Sequence, residues 1–106
     1  MSASELSNVL LQLKAEVSAV QKGTTDIYAL REKYGVAFLR RDFGVIQSID
    51  LPQVVRVMLG IDVSRDAIHE ILLDACLLAN MRLEPLSKLF DSEAKTAQYL
   101  IELTAG

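Results

Sequence analysis

The sequence predicts an all-α fold, one domain of five or six helices spanning residues 1–106. Three observations predict it. An apolar seam with a mean period of 3.5 opens the chain. Helix punctuation then recurs, a capping Ser, Thr or Asp before a segment and Gly after it. A segment near 65–79 is apolar on most of its circumference and offers a centre for the others to wrap.

The first helix is expected at about residues 4–22, where Leu6, Leu10, Leu13, Val17 and Val20 alternate spacings of four and three. Ser2 or Ser4 caps it, Glu5 suits its positive end, and Gly23 stops it. Thr24 and Thr25 offer a cap for a short helix from Asp26 to Tyr34, closed by Gly35. Residues 36–50 fit either a short hairpin or one helical turn, a Gly44 break and a loop, and the helical neighbours favour the second. Asp50 then caps a helix with Pro52 in its first turn and Gly60 at its end, burying Val54, Val55, Met58 and Leu59. Ser64 caps the helix running to about Ala79, with Ile68, Ile71, Leu72, Ala75, Cys76 and Leu78 facing inward. A short helix from Glu84-Pro85 to Phe90 follows. A last one, capped by Asp91 or Ser92, runs to about Thr104 with Ala97, Leu100, Ile101 and Leu103 apolar.

Composition supports a self-sufficient core, because 51% of the 106 residues are apolar and 24% charged. At this size roughly two thirds of the surface is buried on folding. A net charge of −3 argues against a general binder of nucleic acid or of anionic membranes. It is uneven: residues 1–53 carry six basic and six acidic groups, residues 54–106 five and eight. One Cys and one His cannot build a Cys/His zinc site, and Cys76 has no disulfide partner. With no basic leader before an apolar run, and no apolar stretch longer than Ile71–Met81, the expectation is a cytoplasmic protein without a membrane span.

Residues 26–44 resemble a helix-turn-helix. Leu30, Gly35 and Val36 stand at its core, turn and core positions, and Arg40-Arg41 at its recognition helix. The resemblance implies a transcriptional regulator that reads DNA through those arginines. Arg31 departs from the small residue the motif needs, Arg41 from its buried aliphatic, and Gly44 shortens the second helix. Leu59-Gly60, Ser64, Ile68 and Ile71 are similar to the linker and entering helix of paired EF-hands. Gly44, Ile46 and Asp50 echo a loop of that family. Its first three side-chain ligand positions hold Leu39, Arg41 and Phe43, which argues against calcium, an ion that needs several oxygen ligands.

No catalytic constellation emerges. His69 reads as a partly exposed helix residue and Cys76 as a small core residue, neither with an adjacent base or nucleophile. Asp62, Asp66, Glu70 and Asp74 recur every four residues and read as a solvated helix face. There is no phosphate-binding glycine loop and no Walker-type lysine. Catalysis, a cofactor, a metal and a small-molecule substrate are therefore not expected.

Binding has more support. Tyr28, Tyr34, Phe38 and Phe43 fall within sixteen residues, interleaved with Arg31, Arg40 and Arg41, and these side-chain types dominate interface centres. The expectation is a small helical interaction module, an adaptor, regulatory subunit or assembly chaperone. It would bind another protein through Tyr34, Phe38, Arg40, Arg41 and Phe43. The seam of Leu6, Leu10, Leu13, Val17 and Val20 would meet a second copy. The alternative is the DNA-binding regulator at 26–44.

Overall fold

The computed structural model describes residues 1–85 and 98–104. Helix α1 (Ala3–Gln21) starts in a capping box: Ser2 Oγ accepts from the Glu5 N–H and Glu5 accepts from the Ser2 N–H. Helix α2 (Ile27–Tyr34) is capped by Asp26, not by a threonine, and closed by Gly35 in the left-handed region at φ 66°. Helix α3 (Leu51–Leu59) follows a 3-10 turn (Ser48–Asp50) and ends at Gly60, φ 70°. Helix α4 (Arg65–Ala79) is capped by Ser64, whose Oγ accepts from the Ala67 N–H, and ends at Asn80 in the same left-handed conformation.

The fold is not an all-α bundle of five or six helices. Strands β1 (Val45–Gln47), β2 (Arg82–Pro85) and β3 (Tyr99–Glu102) form an antiparallel sheet in the order β1-β3-β2. The helix expected from Glu84 begins as a strand instead, and the one expected up to Thr104 ends as one. The rest of those two predicted helices lies outside the described residues. The physical reason is tertiary. The run Tyr99-Leu100-Ile101-Glu102-Leu103 satisfies a short helical period and an alternating one equally. What decides between them is a backbone partner more than fifty residues away at β1. In the register, Ile46 stands opposite Ile101 and Leu83 opposite the same residue, so one apolar row crosses the sheet toward the core. Pro85 costs no ladder hydrogen bond inside the sheet because β2 is an edge strand. The hairpin considered for 36–50 survives only as the single bridge between Leu39 and Val45.

The core joins one stripe of each helix to the sheet. Leu6, Val9, Leu10, Leu13 and Val17 of α1 pack chiefly on Ile68, Leu72, Ala75, Cys76 and Ala79 of α4. Helix α4 is therefore not the wrapped centre of a bundle. Leu78, expected inside, points to solvent, and Ile71 is half-buried.

Candidate functional interface

The stretch expected to bind is divided by the fold into three fates. Tyr34 and Phe38 go to the core. The Tyr34 hydroxyl donates to Glu16, and Lys33 Nζ sits 2.7 Å from the same carboxylate, so this trio ties α2 to α1. Burial and the hydrogen bond to Glu16 push the Tyr34 phenol up to about 12. Arg40 turns toward the sheet. Its backbone lies in the left-handed region, φ 68°, and its guanidinium reaches Glu102 at 2.6 Å and Glu84 at 3.4 Å. Glu102 also holds Arg82 at 3.3 Å, so the arginine predicted to meet a partner instead joins β3 and β2.

Exposed Arg41 and half-buried Phe43 lie beside Val20, Gln21 and Thr104 around a shallow open depression. Arg31 covers the Phe43 ring at 5.7 Å and the Tyr28 ring at 5.9 Å, a cation–π stack with Tyr28 70% exposed. The second helix of a helix-turn-helix is missing. After Gly35 the chain is non-helical to Gly44, with a turn in which the Phe43 N–H donates to the Arg40 carbonyl. Arg40 and Arg41 thus sit in a turn, not on a recognition helix. In the dimer seam, Leu6, Leu10, Leu13 and Val17 are fully buried within the chain and Val20 is half-buried, so the folded chain offers little of that seam to a second copy.

Among the described residues, the most exposed leucines lie elsewhere. On α4, Leu73, Leu77 and Leu78 are 62%, 70% and 63% exposed. At about 100° per residue, Asp66, Glu70, Leu73, Asp74 and Leu77 share an arc of about 100° opposite the buried stripe. Asp62, the first of the predicted carboxylate row, precedes the helix and pairs with Arg56 at 3.6 Å. The sequence contained the signal for this face. The acidic spacing marks the solvent side of α4, and Leu73 and Leu77, which are not among the residues expected to face inward, fall within it.

Chemistry has little to work with among the described residues. No three His, Cys, Asp or Glu side chains converge there to hold a metal. A cavity of about 20 Å³ between the 3-10 turn and α4, lined by Ser48, Ile49, Arg65, Ile68 and His69 among others, has room for one water. His69 stacks on Tyr99 at 5.5 Å, and Cys76 is a buried thiol pushed up to about 11 by desolvation. No helix among the described residues is long and apolar enough to cross a membrane. No known protein family, curated protein or solved structure matches this chain.

Proposed function

We propose that this chain is a protein–protein interaction module that works by helix packing, without catalysis, and docks its partner on the outer face of α4. The observation that carries the reading is the exposure of Leu73, Leu77 and Leu78 on one helix whose opposite side already supplies the core. Exposed leucines grouped on one helix mark an interaction surface more often than a single exposed leucine does. Covering the exposed two thirds of three leucines contributes about 3–6 kcal/mol. Association costs about 4–15 kcal/mol in lost freedom, so the leucines need help from the groups around them. The reading sets the module in the cytoplasm, since the core closes around a lone buried thiol and requires no disulfide.

A photo-crosslinking side chain placed at Leu77, in the native source, tests it. A discrete protein adduct from Leu77 and none from the same probe at Tyr28 is the expected result. Adducts from Tyr28 alone would overturn the α4 assignment and move the interface to the Tyr28–Arg31–Phe43 stack.

A further inference from the structure

We infer that the partner segment seated on α4 is an amphipathic helix whose apolar stripe is flanked by Lys or Arg, an inference that rests on α4 being the docking face. Asp66, Glu70 and Asp74 are exposed and share the arc of Leu73 and Leu77. No Lys or Arg lies on that arc. Arg65 lies at the cavity beside Ile68 and His69, and Arg82, just past the helix, holds Glu102. Among the described residues the face is therefore a leucine ridge edged by three carboxylates, none of them in an ion pair. Leu73 and Leu77, four residues apart, form the kind of ridge that packs into the groove of another helix.

Charge selects among the occupants. An anionic lipid surface or a nucleic acid would be repelled by this face. A second copy packed α4 on α4 would bring carboxylates toward carboxylates. A basic helix flank meets all three with opposite charge, which speeds encounter and fixes register, and makes binding weaken with salt.

Three synthetic probes titrated by fluorescence anisotropy into the intact chain decide the matter. The first is a Leu/Lys amphipathic helix of about five turns. The second keeps its apolar stripe with Glu in place of Lys, and the third shuffles the Leu/Lys order. The Leu/Lys helix is expected to bind and the other two to bind at least about tenfold more weakly, a 1.4 kcal/mol difference. Leu73→Ser with Leu77→Ser should weaken it by about tenfold or more. Glu70→Gln with Asp74→Asn should weaken it by about threefold and flatten its salt dependence. Unchanged circular dichroism and unfolding midpoint show that both variants stay folded. Equal binding of the Leu/Glu helix would overturn the basic partner while leaving the docking face standing. Equal binding of the shuffled probe would reduce the effect to general attraction and overturn the inference. Binding of none of the three, or a concentration-dependent dimer abolished by the two serines, would overturn it too; the first outcome also removes α4 as a helix-docking face.

Discussion

Leu72 and Leu73 are neighbours in sequence, about 100° apart around α4, one in its buried stripe and one on its exposed arc, so truncating each to alanine measures which face the folded chain covers. Leu72 is 2% exposed and packs in the core, and removing its side chain should cost about 2–5 kcal/mol, transfer and cavity together. Leu73 is 62% exposed, so at most about 0.6–1.1 kcal/mol of burial is lost. Alanine's better helix propensity returns a few tenths of that. The net expectation for Leu73→Ala is a change of about 0.5 kcal/mol. Urea titration followed by far-UV circular dichroism reads both values directly. In thermal melts, Leu72→Ala should lower the midpoint by at least about 8 °C, and Leu73→Ala by a few degrees at most. If Leu73→Ala costs about 2 kcal/mol or more, the outer face is covered within the chain and the docking surface loses its foundation.

Other consequences of the packing are equally open to measurement. A Cβ at Gly44 would be driven into Thr104 Oγ1 and lie 3.3 Å from both Asp42 carboxylate oxygens. Gly44→Ala should therefore cost about 1–3 kcal/mol, and adding Thr104→Ala should recover part of the loss; no recovery would refute the clash. Because the Tyr34 phenol titrates near 12 in the folded chain against 10.0 for a free one, its contribution is complete below pH 10 and is lost as pH rises toward 12. Alkaline urea titrations should show Tyr34→Phe losing less stability than the native chain across that window, and identical slopes would contradict it. Arg40 pairs with Glu102 from a left-handed backbone, φ 68°, which glycine adopts without strain. Both Arg40→Gly and Arg40→Ala remove the pair, and the glycine variant should unfold at the higher urea concentration. A clearly more stable alanine variant would show that the backbone angle is not a cost.

What could be read in advance follows from how far each signal travels along the chain. Ser2 with Glu5, Gly35, Gly60, Pro52 and Ser64 each act within one helical turn, and the helices they bound fall within a residue or two of the expected limits. The seam of Leu6, Leu10, Leu13 and Val17 was legible as a buried stripe, but its partner was not. Within the chain it meets α4. The aromatic and arginine residues of 28–43 were legible as a cluster in sequence, and the fold disperses them. Tyr34 and Phe38 sit inside, Arg40 lies on the sheet, and Tyr28, Arg31, Arg41 and Phe43 stay at the surface.

Four helices and most of each buried stripe are legible in the chain alone, because capping and apolar periodicity are local, yet Asp26 caps α2 in place of a threonine and Leu59 and Leu78 turn outward. Only the tertiary structure decided that residues 45–47, 82–85 and 99–102 are strands, since a ladder exists only when distant segments meet. It also decided the role of α4. A helix apolar on most sides is central when neighbours surround it. Among the described residues its core stripe meets α1, α3 and β2, and its outer leucines and carboxylates are left at the surface.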